Sequence, residues 1–357
     1  MTSGLDLAAE VGELLSRAEQ DDDFSGAIRL VGGDEVLLDH AYGIASRRWG
    51  VPVRTSTRFD VASITKLFTS VAVLQQVEAG RLDLDASLGV VVPLAGTTIS
   101  PEVTLRHLLT HTSGLADDAD EEAGESYEAL WLERPSYMVA TTADFLPQFA
   151  HKPPRLAPGS DCRYCNVGYI LAGLALEAVT GLTYRQYVQR SVFARAGMVS
   201  SGFFHMAGDE PDVAEGWDPV LAPDGTRTGW RSNIYSYPPI GSPDGGAHTT
   251  AADLVRFLTA VRRGELLGAA LTETFLTPQV VHHATPDGTV RYGFGLEFDV
   301  DPDGAVRSFW KDGVNVGASA LVRHYPASDV TFALVSNSED GAWPPVRQVH
   351  ALLREGT

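Results

Sequence analysis

The two ends of the chain carry strand-type sequence, whereas its middle carries helix-type sequence. Near the start, Ala27 to Val31 and Val36 to Tyr42 are short apolar runs around Gly32-Gly33-Asp34, which has the composition of a hairpin turn. Towards the end, apolar runs separated by turn residues between positions 292 and 336 predict a meander of three or four strands. Because each end also has a helical pattern, we expect one antiparallel sheet flanked by terminal helices.

The middle of the chain has apolar residues at helical spacing, joined by loops rich in Gly, Pro and Asp. The predicted helices are Ser63 to Glu78, Thr104 to Leu109, Val167 to Thr180, Tyr184 to Ala196 and Thr250 to Arg263. We therefore predict an α+β fold in which residues 1–58 and 245–357 form a sheet-plus-helices lobe and residues 59–244 form a mainly helical lobe. A cleft at their junction is the expected place for a ligand.

The composition is that of an ordinary globular protein. Of 357 residues, 44% are hydrophobic and 20% are charged, which is enough apolar material for a sizeable core. The formal net charge of −19 is opposite to the charge that a phosphate backbone or an anionic lipid surface attracts. Nucleic-acid and membrane partners are therefore disfavoured. Because the sequence has no signal-peptide pattern and no apolar run of about eighteen residues, we expect a cytoplasmic protein.

The segment from Phe59 to Phe68 places Ser63 at the start of an apolar helical pattern and Lys66 three residues later. Residues three apart on a helix share a face, so an amine that burial keeps neutral can accept the serine proton. Taken alone, the same spacing also fits a serine that only caps the helix and a lysine that is exposed to solvent. Two further motifs, in the right order, are needed to support a nucleophilic serine.

The second motif is Tyr164-Cys165-Asn166, about a hundred residues downstream, where it opens the helix predicted from Val167. Near a lysine ammonium, the Tyr164 phenol can act as a phenolate base towards Ser63 and later return the proton to the leaving group. Taken singly, a tyrosine in such a loop would more often be a buried side chain with a satisfied hydroxyl.

The third motif is Lys311-Asp312-Gly313-Val314, on a predicted late strand. Its glycine would let a substrate backbone approach the strand closely. The backbone N–H groups of Ser63 and Val314 then form the expected oxyanion hole.

These motifs, together with His107 to Leu115, Gly245 to Leu254 and Tyr292 to Gly295, resemble the serine β-lactamase-related family. The resemblance covers nearly the whole chain, and the pattern is most similar to class C β-lactamases, D-alanyl-D-alanine carboxypeptidases and esterases of the same fold. It implies acyl transfer through a covalent acyl-serine. The roles that it implies are nucleophile for Ser63, proton handling for Lys66 and Tyr164, substrate positioning for Asn166 and an electrostatic contact for Lys311.

The chain departs from the family's carboxylate-binding members at Asp312, where threonine, serine or a small residue is usual. If Asp312 faces the cleft, it can pair with Lys311 and cancel the charge that would bind a substrate carboxylate. The alternation of side chains along a strand leaves open the alternative that Asp312 points away from the cleft. The E-x-x-L-N segment of class A β-lactamases is also absent from the sequence. We therefore expect an esterase, amidase or transacylase that acts on a neutral or cationic small-molecule acyl compound and uses no cofactor.

Two other functions stay open at this point. One is a β-lactamase or D-alanyl-D-alanine carboxypeptidase, and the other is a non-catalytic or slow covalent penicillin-binding sensor. A binding module does not need Ser63, Lys66 and Tyr164 together, which disfavours the sensor. The sequence has no G-x-S-x-G elbow, which argues against an α/β-hydrolase.

Three further features are expected to be structural. The segment Asp117 to Glu128 holds seven acidic residues and is expected to be a solvated loop, with a lid that repels anionic substrates as the alternative. His107 and His111 lie four apart but lack a third ligand, so no metal site is predicted. Cys162 and Cys165 lack the strand-helix context of a redox site and are expected to be small side chains in a tight loop.

Overall fold

The computed structural model describes residues 4–132 and 134–355. In these ranges the α-helices are α1 (Gly4–Gln20), α2 (Thr65–Glu78), α3 (Leu105–Leu109), α4 (Asn166–Thr180), α5 (Tyr184–Val188), α6 (Ala251–Arg262), α7 (Ala269–Phe275) and α8 (Trp343–Glu355). The β-strands are β1 (Gly26–Gly32), β2 (Glu35–Tyr42), β3 (Ile44–Ser46), β4 (Val51–Pro52), β5 (Phe59–Asp60), β6 (Trp217–Leu221), β7 (Arg227–Ser232), β8 (His248–Thr249), β9 (Val280–Thr285), β10 (Gly288–Tyr292), β11 (Glu297–Val300), β12 (Val306–Asn315), β13 (Ala318–Tyr325) and β14 (Val330–Ser336).

An antiparallel sheet of eight strands forms the centre of the fold, in the order β2-β1-β14-β13-β12-β11-β10-β9. β1 runs directly against β14, from Gly26 opposite Ser336 to Gly32 opposite Val330. The two ends of the chain therefore complete the same sheet. The predicted α+β class with an antiparallel sheet is confirmed.

The C-terminal meander has six strands rather than the three or four expected. The apolar run from Tyr292 to Val300 is divided between β10 and β11 by a turn in which Gly295 has a φ of 87°, a conformation that favours glycine. The sequence pattern does not predict β9, because the polar residues His282 and His283 interrupt its apolar alternation.

Helices cover both faces of the sheet. On one face, α1 and α8 pack around a core that includes the fully buried side chains of Val11, Leu15, Phe332 and Val349. On the other face, α6 and the helices from the middle of the chain enclose a larger core. β13 and β14 are consequently buried along their whole length, as strands covered on both faces must be.

The middle of the chain is largely helical, but it also holds the β6–β7 hairpin, which the sequence pattern does not predict. α5 ends at Val188 and continues as a π-helical segment over Gln189–Phe193, where one long helix was expected. α2 packs against α4, and the turn before α2 packs against β12. The sequence motifs meet at this junction, whereas the exact lobe boundaries at 58/59 and 244/245 stay a prediction.

Within the described residues, no helix taken singly has the length and hydropathy to cross a membrane; the bent pair Asn166–Thr180 and Tyr184–Phe193 reaches both only when combined.

Candidate active site

Ser63 lies in a 3₁₀ turn, Ala62–Ile64, that leads directly into α2. Ala62 has a φ of 41°, which a residue with a side chain rarely adopts. Two hydrogen bonds of 2.7 Å hold the turn: the Ala62 N–H donates to Asp60 Oδ1, and Thr65 Oγ1 donates to the Ala62 carbonyl. The turn places Ser63 at the N-terminal end of α2, beside a cleft.

Lys66 is fully buried one helical turn after Ser63. Its Nζ lies 3.0 Å from Ser63 Oγ, 2.7 Å from Asn166 Oδ1 and 2.6 Å from the Asp244 carbonyl oxygen. Burial lowers the pKa of Lys66 to about 8, and the charge of Asp244 opposes the shift. In its neutral form the amine has two N–H groups for the two carbonyl-type acceptors and one lone pair for the Ser63 hydroxyl.

Tyr164 also contacts the serine, since its hydroxyl donates to Ser63 Oγ over 2.7 Å. Two lysine side chains lie near its ring: Lys66 Nζ is 5.0 Å and Lys311 Nζ is 5.2 Å from the ring centroid. Burial, followed by the charge of Glu121, nevertheless raises the pKa of Tyr164 well above its ordinary value. A neutral phenol is better suited to donating a proton than to the phenolate role expected from the sequence.

Asn166 is the first residue of α4, and a carboxylate from another segment holds the start of this helix. Asp117 Oδ2 accepts the Asn166 N–H over 2.7 Å, and Asp117 Oδ1 accepts the Val167 N–H over 3.0 Å. Lys152 Nζ donates to the Asp117 carbonyl over 2.8 Å and fixes the backbone of that segment. A buried carboxylate therefore caps the positive end of α4 and keeps Asn166 opposite Lys66.

Lys311 lies on β12 and is buried, and two acidic residues lie next to it. Its Nζ lies 2.7 Å from Glu297 Oε1 on β11 and 3.8 Å from Asp312 Oδ1. Burial acts to lower the pKa of Lys311, but the two carboxylates outweigh it and raise the pKa above its ordinary value. Asp312 thus lies near Lys311, which is one of the two orientations that the sequence left open, and Glu297 supplies a second, closer partner.

Gly313 lets β12 pass directly against the turn that carries Ser63. A Cβ at this position would collide with the Val61 carbonyl oxygen and would lie 2.8 Å from the Ser63 backbone nitrogen. The glycine therefore allows a close approach of the protein's own backbone, where the sequence analysis expected the approach of a substrate. Val314, the next residue, is 42% exposed and lines the cleft beside Ser63.

The expectation of a solvated loop is wrong for residues 117–120, because Asp117, Asp118 and Asp120 are buried, whereas residues 121–126 are exposed as expected. Six of the seven acids accept hydrogen bonds from protein donors, and for four of them, Asp117, Asp120, Glu122 and Glu128, the donors lie outside the segment and tie it to the rest of the protein. The donors are the Asn166 and Val167 N–H groups for Asp117, the Ala119 N–H for Asp118, Arg155 and Arg163 for Asp120, the Tyr164 N–H for Glu122, the Asp120 N–H for Glu125, and Arg231 with Ser236 for Glu128. The seventh, Glu121, lines the cleft.

The cleft at Ser63 has about 570 Å³ of empty space. Its polar lining includes Ser63, Glu121 and Asn166, and its apolar lining includes Tyr127, Met206, Tyr237 and Ile240. A concave surface with apolar walls and a few converging polar groups is suited to a small molecule.

His107 and His111 have structural partners. His107 Nδ1 accepts the Thr104 N–H at the start of α3, and His111 Nδ1 accepts the Cys165 N–H over 3.1 Å. The His111 ring stacks on the Tyr164 ring with 4.6 Å between centroids, so it supports that side chain. Across residues 4–132 and 134–355, no three His, Cys, Asp or Glu side chains form a group that could hold a metal ion.

The sequence motifs did not indicate three groups at the site. Glu297 lies on a strand without a motif, and Asp244 contributes a backbone carbonyl, which any residue type can supply. Asp117 belongs to a charge run of the kind that usually faces solvent. Its apolar neighbours Leu115 and Ala116 are the sequence signal that could have indicated burial at this point.

Comparisons with known proteins agree with this geometry. A sequence profile of the Beta-lactamase family matches residues 14–355. Esterase EstB of Burkholderia gladioli is 31% identical over 278 residues, which cover 72% of this chain and 70% of the esterase. Penicillin-binding protein 4* of Bacillus subtilis (strain 168) is 25% identical over 328 residues, which cover 89% of this chain and 69% of that protein.

A solved structure gives the same result for the fold. The crystal structure of a penicillin-binding protein from Bacillus halodurans superposes with a TM-score of 0.87 at 37% sequence identity, and the match covers 95% of this chain and 99% of that chain. The resemblance seen in the motifs is thus confirmed over nearly the full length. This chain is a serine hydrolase of the beta-lactamase family.

Proposed function

We propose that the protein cleaves an ester or amide of a small molecule through an acyl-Ser63 intermediate, with Lys66 as the proton acceptor. The observation that carries the proposal is the surroundings of the Lys66 amine. Asn166 Oδ1 and the Asp244 carbonyl take up two of its hydrogen-bonding directions, and Ser63 Oγ, 3.0 Å away, is its third neighbour. A neutral amine in this position has its lone pair available for the serine proton.

Acylation begins when Ser63 Oγ passes its proton to Lys66 Nζ and bonds to the substrate carbonyl carbon. The backbone N–H groups of Ser63 and Val314 stabilise the oxygen that becomes negative. The bond to the leaving alcohol or amine then breaks, and the Tyr164 phenol donates the proton that this group needs. The Lys66 ammonium then passes the proton that it took from Ser63 to the Tyr164 phenolate, so both side chains are restored and the leaving group has gained one proton.

Deacylation uses the same groups with water as the nucleophile. Water loses a proton to the Lys66 amine and attacks the acyl carbon, and the bond to Ser63 Oγ breaks as the serine regains a proton. The products are a carboxylic acid and the free enzyme. An alcohol or amine in place of water would give a transacylase from the same intermediate.

The charges of the site support a neutral or cationic acyl group. Lys311, the cation expected to attract a substrate carboxylate, is already paired with Glu297 at 2.7 Å and with Asp312 at 3.8 Å. A second carboxylate from a substrate would have to displace these partners. The similarity to an esterase, EstB, supports an ester as the substrate type.

Labelling by a fluorophosphonate tests the proposal. Wild type, Ser63→Ala and the exposed control Ser160→Ala are incubated in parallel with the fluorophosphonate, p-nitrophenyl acetate and a penicillin. We expect adducts in the wild type and the control but none in Ser63→Ala, together with turnover of the ester. Labelling that persists in Ser63→Ala, or no labelling of the wild type, would overturn the proposal.

The likeness to penicillin-binding proteins favours a second candidate, in which a β-lactam is the reacting compound. A long-lived penicilloyl adduct without turnover of neutral esters would support a penicillin-binding role. Rapid hydrolysis of the penicillin would support a β-lactamase instead.

A further inference from the structure

We propose that a second cavity, which shares one wall with the cleft at Ser63, is a substrate subsite, and that the Met206 side chain controls access to it. The proposal rests on the acyl-transfer function of Ser63 and names the substrate class for it: esters or amides with a long, uncharged chain that carries ether, hydroxyl or amide groups. The second cavity has about 970 Å³ of empty space, compared with about 570 Å³ in the cleft.

The shared wall lies next to the nucleophile. Asp60, Met206, Tyr237 and His248 line both the cleft and the second cavity. Asp60 Oδ1 also accepts the N–H of Ala62, the residue before the nucleophile, over 2.7 Å. The second cavity therefore reaches the turn that carries the reacting serine.

Met206 is the member of this wall that can move most easily. The Tyr237 hydroxyl accepts a hydrogen bond from Asn233 Nδ2, and His248 lies on β8, which pairs with β5. The Met206 backbone is also held, because its N–H donates to the Pro239 carbonyl over 2.8 Å. Its unbranched thioether side chain, however, is held by packing alone and can change conformation at little cost. Rotation of this side chain would join the two cavities.

The lining of the second cavity favours an uncharged polar chain. Two of its acids are engaged, since Glu215 Oε2 accepts from Ser46 Oγ over 2.6 Å and Glu210 Oε2 lies 3.9 Å from Arg58 Nη1. Arg48 adds a positive charge to the same lining. An ion would have to give up its water for a surface whose charges are already compensated, and an alkyl chain would leave the polar groups unpaired. A chain with ether, hydroxyl or amide groups incurs neither cost.

His248 offers a hydrogen-bonding group at the junction of the two cavities. The residue is 7% exposed, and its Nδ1 has no hydrogen-bond partner among residues 4–132 and 134–355. Burial lowers the pKa of His248, so the ring is neutral at pH 7. Buried polar atoms in folded proteins usually have a partner, and a chain that passes Met206 can supply one.

A chemical block of the second cavity tests the proposal. Ser232 lines this cavity but not the cleft, and its half-buried side chain can be reached from solvent. Ser232→Cys is compared before and after reaction with N-ethylmaleimide, so each preparation is its own control for folding. The exposed and remote Asp303→Cys, treated in the same way, is the matched control.

The two substrates are p-nitrophenyl octanoate and an ester of the same chain length in which ether oxygens replace two methylene groups remote from the carbonyl. The quantity measured is the ratio of kcat/KM for the ether ester to kcat/KM for the octanoate. We expect the maleimide to lower this ratio about tenfold in Ser232→Cys, the range for losing one or two hydrogen bonds, and to leave it unchanged in Asp303→Cys. A ratio that the block of Ser232→Cys leaves unchanged would overturn the proposal.

Variants of Met206 test its role at the shared wall. Met206→Ala should increase kcat/KM for the ether ester relative to p-nitrophenyl acetate, which has no chain to place in the second cavity, and Met206→Phe should decrease it. Met138→Ala, at a 62% exposed position outside both cavities, should leave this relative rate at the wild-type value. Equal changes for the ether ester and the acetate in Met206→Ala would contradict control of access by Met206.

Binding without chemistry separates this proposal from the acyl-transfer function. Calorimetry with the N-methylamide of the ether acid is performed on the double variant Ser63→Ala and Ser232→Cys before and after the maleimide. We expect the block to weaken binding about tenfold. Equal binding before and after the block would contradict the subsite. Failure of the acyl-transfer function has a different signature, because the fluorophosphonate would then leave Ser63 unlabelled in the wild type while the block still weakened binding of the amide.

Discussion

The Asp117 carboxylate accepts a hydrogen bond from the backbone N–H of Asn166 over 2.7 Å. The Asn166 Oδ1 atom in turn accepts a hydrogen bond from Lys66 Nζ, also over 2.7 Å. A buried acid in the segment after α3 thus positions the proposed proton acceptor through the first residue of α4. The charge run that looks like a solvated loop in the sequence is part of the framework of the site.

Asp117→Ala should lower both stability and activity. Two buried N–H groups lose their acceptor, which costs about 2–4 kcal/mol of unfolding free energy. A displaced Asn166 would also misplace Lys66, so we expect kcat to fall more than tenfold. Urea unfolding and steady-state kinetics measure the two effects. Asp117→Asn, which retains one acceptor oxygen, should be intermediate, and the exposed control Asp303→Ala should match the wild type. Wild-type kcat in a destabilised Asp117→Ala would show that Asp117 acts only on stability.

The pH dependence of kcat/KM should report the Lys66 amine. Burial lowers the pKa of Lys66 to about 8, and only the neutral amine accepts the Ser63 proton. With a neutral ester as substrate, kcat/KM should therefore reach a plateau above about pH 8 and fall about tenfold for each pH unit below it. Lys66→Arg, which stays protonated, should be inactive over the whole range. A rate that is independent of pH between 6 and 9 would exclude Lys66 as the proton acceptor.

Removing the acids around Lys311 should increase reaction with anionic substrates. Asp312→Thr restores a residue type usual in carboxylate-binding members, and Glu297→Gln removes the partner at 2.7 Å. The double variant leaves Lys311 with an uncompensated charge, so we expect acylation by a penicillin to become at least tenfold faster. Mass spectrometry of the adduct in samples quenched at successive times measures the rate of acylation. An equal acceleration in the remote variant Asp303→Thr would mean that overall charge, rather than the Lys311 site, is responsible.

The two cysteines should be unreactive at neutral pH. Burial raises the pKa of Cys162 to about 12 and raises the pKa of Cys165 well above its ordinary value, so neither thiol forms the reactive thiolate. We expect iodoacetamide and mild oxidant to leave ester turnover unchanged over an hour. Inhibition that dithiothreitol reverses would show instead that Cys162 or Cys165 is a redox switch beside Tyr164.

Much of the architecture follows from local patterns in the sequence. β14 coincides with the predicted run Val330 to Ser336, and α6 lies within the predicted helix from Thr250 to Arg263, because apolar spacing and turn residues define both. β9 and the β6–β7 hairpin lack such patterns, since polar residues interrupt them.

Local sequence patterns predict only part of the candidate active site. Ser63, Lys66, Tyr164 and Lys311 are recognisable because their chemistry needs those residue types at that spacing, and the structure brings them together. Glu297 lies beside Lys311 because β11 pairs with β12, and the Asp244 carbonyl comes to Lys66 from a loop 178 residues further along the chain. Neither contact has a local pattern in the sequence. The Tyr164 phenol stays neutral because burial and the nearby charge of Glu121 raise its pKa. Neither the burial of Tyr164 nor its proximity to Glu121 can be predicted from a single sequence.

The most direct test of the account is peptide mapping after a rapid acid quench of the reaction with p-nitrophenyl acetate. The account predicts one acetyl group, carried by the peptide that contains Ser63, appearing at the rate of the first p-nitrophenol release and absent from Ser63→Ala. An acetyl group found only on surface lysines, or turnover that continues in Ser63→Ala, would contradict it.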